Sequence, residues 1–140
     1  MMFTAGSTAS SLPPCPGSPN CVSTQATDKH AIAPLRYTST QGEGMRRLLA
    51  VLRAIPRTIV VDSGQSSVRV EFRTRIFRFV DDTQFLFDDQ AKTIHFRSAS
   101  RIGYSDMGVN RRRMEEIRKS FEATEHASAG KDHGGPPGVP

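Results

Sequence analysis

Between Thr58 and Ser100 one strand-like pattern follows another, and the clearest turns between them are only four or five residues long. Turns that short leave no room for a crossover, so consecutive strands have to run antiparallel. Thr58-Ile59-Val60-Val61 is a β-branched run, and Ser63-Gly64-Gln65-Ser66-Ser67 has the composition of a turn. Val68, Val70 and Phe72 then alternate with Arg69, Glu71 and Arg73, the period of a half-buried strand. Ile76 to Val80 continues extended until Asp81-Asp82, read here as a break, and Thr83 to Phe87 is the next strand. Asp88-Asp89-Gln90-Ala91 is a turn, and Lys92 to Ser100 is a third clear strand.

Helical patterns flank this region. From Glu43 to Ile55 the residues Met45, Leu48, Leu49, Leu52 and Ile55 recur at helical spacing, with Arg46, Arg47 and Arg53 off the apolar stripe and Pro56 as the stop. A second helix is predicted from a cap at Asp106 or Ser105 to about Ala123, burying Met107, Met114, Ile117 and Phe121. Before the first helix, Ile32 to Tyr37 reads as a short extended piece, kept to an edge or a loop by Pro34. Two helices around several antiparallel strands predict an α+β fold: a small two-layer sandwich, with about four strands and both helices on one face. Residues 15–124 form the single predicted domain. Residues 1–14, rich in Ser, Thr and Pro, and 125–140, rich in Gly and Pro, read as disordered tails.

The net charge is +5, from 19 basic and 14 acidic residues. Only Lys29, Lys92, Lys119 and Lys131 are lysines, so 15 of the basic residues are arginines. Arginine tolerates partial burial and pairs bidentately with carboxylate or phosphate, which places the surplus in specific contacts more than in a diffuse cloud. No apolar run approaches the ~20 residues of a membrane helix. The first 20 residues lack the charged and apolar regions of an ordinary signal peptide, so a cytoplasmic location is the default expectation.

Five segments resemble the domain-of-unknown-function 1499 family of bacteria and plants. They are Glu71 to Phe77 (EFRTRIF), Phe79 to Asp82 (FVDD), Ile94 to Arg101 (IHFRSASR), Gly103 to Asp106 (GYSD) and Gly108 to Arg113 (GVNRRR). Cys15 to Ser23 (CPGSPNCVS) is similar to the family's Cys-Pro-x-x-Pro-Asn-Cys-Val-Ser signature. Together these span nearly all of the predicted domain. The resemblance implies no activity, because the family's function is unknown. It does imply that several members are exported or lie in a plastid, which leaves export open here.

Strand parity gathers the candidate site residues. Ile94, Phe96, Ser98 and Ser100 share one face of the last strand, and His95, Arg97, Ala99 and Arg101 share the other. If helices cover the apolar face, the second face presents Arg73, Arg97, Arg101, His95 and Glu71 together. That is either an anion-binding platform or a solvated face of ion pairs worth ~0–1 kcal/mol each. Tyr104, at the junction before the second helix, and Arg111, just inside it, complete the predicted ligand set of Arg73, Arg97, Arg101, Tyr104 and Arg111. A structural polar network is expected from Asp81, Asp82, Ser98, Ser100, Asp106 and Asn110. Asn110 falls on the core stripe, where an unpartnered amide costs ~1–3 kcal/mol, so its side chain is predicted to find internal partners.

Cys15 and Cys21 are the only cysteines, and the Pro/Gly-rich loop between them permits either a disulfide or two free thiols. Their spacing is not that of an ordinary zinc site, even with His30. No metal, cofactor or catalytic residue is assigned. The function predicted is a non-catalytic domain that recognises an anionic small molecule or an acidic protein segment. One alternative is a small enzyme built around Asp81, Asp82, His95 and Ser98. Another is nucleic-acid binding through Arg111-Arg112-Arg113, disfavoured because Glu115, Glu116 and Glu122 interrupt the charge and no nucleic-acid motif is present.

Overall fold

The computed structural model describes residues 11–75, 79–103 and 105–132, with side chains described as far as Glu125. The element order is β1 (Cys21–Ser23), β2 (Leu35–Arg36), α1 (Gln41–Arg53), β3 (Thr58–Ser63), β4 (Ser67–Arg73), β5 (Val80–Asp88), β6 (Thr93–Ser100) and α2 (Val109–Asp132). The strands form one antiparallel sheet in the order β1-β6-β5-β4-β3, and β2 pairs with β6 as well. The fold is therefore α+β, as predicted, with six strands in place of about four. The two extra strands are short pieces laid along the outer edge of β6, too brief to show a period of their own.

Each turn does what its composition requires. Gly64 and Ser67 close the β3–β4 hairpin through a main-chain hydrogen bond of 2.8 Å, and Asp88 accepts from the Ala91 N–H in the β5–β6 turn. Thr40 caps α1 by accepting from the Glu43 N–H at 3.2 Å.

Val68, Val70, Phe72, Phe85, Phe87, Ile94 and Phe96 point to the same side of the sheet and are buried there. Leu48, Val51 and Leu52 of α1 and Met114, Ile117 and Phe121 of α2 close over them. Helix α1 packs beside β3, α2 beside β6, β1 and β2, and the two helices touch. Both helices thus cover one face.

Several local expectations change. Asp81 and Asp82 do not break the chain: β5 begins at Val80 and runs straight through them. Both are paired in the register, to Phe72 and Glu71 on one side and to Ser100 and Ala99 on the other. Met107 is not in the core: it lies before α2 at φ +55° and is 83% exposed. Arg47, expected on the solvent side of α1, is buried and pairs with Glu125. The second helix runs past Ala123 to Asp132. Glu125, assigned by composition to a tail, therefore belongs to the packed domain.

Candidate anion site on the open sheet face

Pleating sends Arg69, Glu71 and Arg73 of β4 to the side opposite the helices, because their neighbours Val68, Val70 and Phe72 are in the core. The register extends this across two more strands. Arg69 stands opposite Gln84, and Gln84 stands opposite Arg97. One row along, Glu71 stands opposite Asp82, and Asp82 opposite Ala99. Arg69, Glu71, Asp82, Gln84 and Arg97, with Arg101 beyond the end of β6, line a shallow depression of about 210 Å³. Val61, the extra residue at the bulge between Val60 and Asp62 in β3, forms one wall.

Within this depression the charges divide unevenly. Arg101 makes a two-point contact with Asp82, Nη2 to Oδ1 at 2.7 Å and Nε to Oδ2 at 3.0 Å, and reaches Glu71 at 3.2 Å. Hydrogen bonding to Asp82, and then to Glu71, pushes the Arg101 pKa up and holds it charged. Arg73 pairs with Glu71 at 3.3 Å. Both carboxylates are thus occupied.

Arg97 and Arg69 are left over. Arg97 is half-buried, its Nε is out of water without a hydrogen-bond partner, and its Nη2 donates to the Pro14 carbonyl at 3.3 Å. Burial pulls its pKa down, opposed only in part by the charge of Asp82. Neither Arg97 nor Arg69 makes an ion pair among the described residues. Asp62 is opposite Arg69 in the register but does not come within ion-pair distance of it.

The remaining predicted ligand residues lie elsewhere. Arg111 is on α2, where it donates to the Ala31 and Lys29 carbonyls at 3.0 and 3.1 Å. Tyr104 lies outside the described residues. Arg112 donates to the Met107 carbonyl, and Arg113 stands 2.8 Å from Asp81, so the Arg111–Arg113 run is engaged with the protein itself. Arg69 and Gln84 were missed as site residues. Parity had put Arg69 on the right face, and the same alternation with Phe85 and Phe87 in the strand predicted from Thr83 to Phe87 could have placed Gln84 there as well.

The predicted polar network divides between the two faces. Asp82 belongs to the open face. Asp81, Ser98 and Asn110 are buried on the helix side, and Ser100 reaches into the same cluster. Thr83 Oγ1 and Ser98 Oγ are 2.6 Å apart, and the Ser98 hydroxyl donates to Asn110 Oδ1, also at 2.6 Å. Asn110 Nδ2 donates to Asp106 Oδ2 at 2.8 Å and Ser100 Oγ at 3.1 Å, with the Asn20 carbonyl at 3.4 Å. Asp106 also accepts from the Gly108 and Asn110 N–H groups, which caps α2. Burial pushes the Asp106 pKa up, but these hydrogen bonds outweigh it and hold the carboxyl below its ordinary range. Asp81 pairs with Arg113, whose guanidinium lies 4.6 Å from the centre of the Phe72 ring. The approach to Asp81 Oδ2 is that of an ion pair, not an aligned hydrogen bond. The four groups proposed for an enzyme are separated by the sheet, with Asp81 and Ser98 on one side and Asp82 and His95 on the other. His95 instead lies 3.0 Å from the Thr24 hydroxyl.

Cys15 and Cys21 are joined in a disulfide. It ties the segment from Ser11 to Cys15 to the start of β1, with Leu12 buried and its N–H bonded to Gln25. His30 is buried, 2.9 Å from both Asp28 and the Ser18 carbonyl.

The architecture is that of a small α+β protein whose sheet is backed by two helices on one face, with no helix on the other among the described residues. The chain belongs to the family described as protein of unknown function DUF1499, whose model matches residues 11–121. That match takes in the disulfide, every strand and the first half of α2. None of the curated proteins matches the chain. No helix among the described residues is long and apolar enough to cross a membrane.

Proposed function

We propose that the domain is a non-catalytic binding module that holds an anion in the depression on its open sheet face. The observation that carries this reading is Arg97: a half-buried guanidinium with no carboxylate partner, beside a cavity. A desolvated charge without a counterion costs stability, and structures keep such groups where a ligand supplies the missing charge. Arg101 and Arg73 support the site from its rim by occupying Asp82 and Glu71, which keeps those carboxylates from repelling an incoming anion. The test is thermal shift of the full chain with a panel of anions at fixed ionic strength. At least one anion raises the melting temperature of the wild type and fails to raise that of Arg97→Gln. No shift with any anion, or an equal shift in both proteins, overturns the reading.

A further inference from the structure

Building on the anion site just proposed, we infer that its ligand is a compact dianion, held between Arg69 and Arg97 and over Gln84. Three observations carry this. The first is charge. In the depression Arg101 is neutralised by Asp82 and Glu71, whereas Arg69 and Arg97 make no ion pair among the described residues, so two guanidinium groups are left without a carboxylate. A monoanion would leave one guanidinium uncompensated, whereas a dianion satisfies both.

The second is placement. Arg69, Gln84 and Arg97 form one straight row over β4, β5 and β6. Neighbouring strands are ~4.8 Å apart, so the two arginine Cα atoms are roughly 10 Å apart with Gln84 midway. Two arginine forks facing each other over that span can grip opposite edges of one oxyanion, or one carboxylate each of a short dicarboxylate. The Gln84 side chain makes no hydrogen bond to the described residues, so its amide is free to donate to whatever lies between them.

The third is size. A depression of about 210 Å³ has room for several waters. That suits a tetrahedral oxyanion or a dicarboxylate of a few carbons.

The experiment is an NMR titration of the full 140-residue chain at constant ionic strength, following the Arg69 and Arg97 Nε–H signals and the Gln84 side-chain amide. The probes are sulfate, its singly charged analogue methyl sulfate, malonate and acetate. The dianion of at least one pair binds about tenfold or more tighter than its monoanion, and Arg69→Gln removes that preference while leaving monoanion binding in place. Preference for sulfate assigns a tetrahedral oxyanion, and preference for malonate a dicarboxylate. Equal affinity for dianion and monoanion in both pairs overturns this inference and leaves the anion site standing. No perturbation of Arg97 or Gln84 by any probe overturns both. Circular dichroism of Arg69→Gln checks that the variant is folded, and its exposed position on β4 makes the substitution mild.

Discussion

Asp81 and Asp82 are adjacent in sequence and stand on opposite faces of the sheet. The Asp81 side chain is 2% exposed and faces Arg113 under the helices, while the Asp82 side chain is 47% exposed and holds Arg101 on the open side. One strand thus serves two sites, a buried ionic cluster that anchors α2 and an open face that carries uncompensated positive charge. The difference is testable. Asp81→Asn strands Arg113 in a largely buried position and is expected to cost about 3 kcal/mol in urea unfolding. Asp82→Asn loosens an exposed pair and is expected to leave the unfolding midpoint within error. Equal losses from the two would show that the faces are not distinguished in this way.

Asn110 is fully buried with its carbonyl and amide both engaged. Asn110→Leu leaves the Ser98 hydroxyl and Asp106 without that partner. The expected loss is about 2–3 kcal/mol of stability, read from chemical denaturation. A variant as stable as the wild type would mean the amide is dispensable.

Asp106 predicts a pH dependence. Its carboxyl titrates below the ordinary 3.8 in the folded protein, so the folded state binds the proton less readily than the unfolded chain. Its stabilising contribution is therefore complete above about pH 4 and is lost as the pH falls through the lower, folded value. Asp28, Glu43 and Asp89 are depressed in the same direction, so the informative quantity is the difference between two proteins. Asp106→Asn can still cap the helix. It is expected to be less stable than the wild type at pH 7 and to approach it as the pH drops from 4 toward 2. Parallel stability curves over that range would rule out this role for the charge.

The disulfide closes a loop of six residues and is worth about 2 kcal/mol on the chain-entropy estimate. Reduction is expected to lower stability by about that amount and to release the segment that supplies the Pro14 carbonyl to Arg97. Thermal melts with and without reductant measure the first effect, and the Arg97 Nε–H signal reports the second. A signal unmoved by reduction would show that Arg97 is held independently of the strap.

The strands were legible because their side chains alternate and their turns are short. Both constraints are local, and they required antiparallel pairing before any coordinate was known. The helices were legible from the spacing of Leu48, Leu52, Met114, Ile117 and Phe121, and the open face from the parity of Arg69, Glu71, Arg73, Arg97 and Arg101. Composition misled where a residue's partner is distant in sequence. Arg47 looked solvated until Glu125 was seen to reach it from α2, and Asp81-Asp82 looked like a break until Arg113 and Arg101 were found on either side. Met107 matched the helical period but falls before the helix starts, where a left-handed backbone turns it outward.

The sequence alone therefore determined the class of fold, the pairing direction of its longer strands and the faces of the alternating residues of β4 and β6, because those follow from periods of two and 3.6 along the chain. Only the tertiary structure decided which arginines are already neutralised and which are not. Charge compensation depends on where three strands, a bulge and a distant helix bring their side chains together, and no local pattern records that distance.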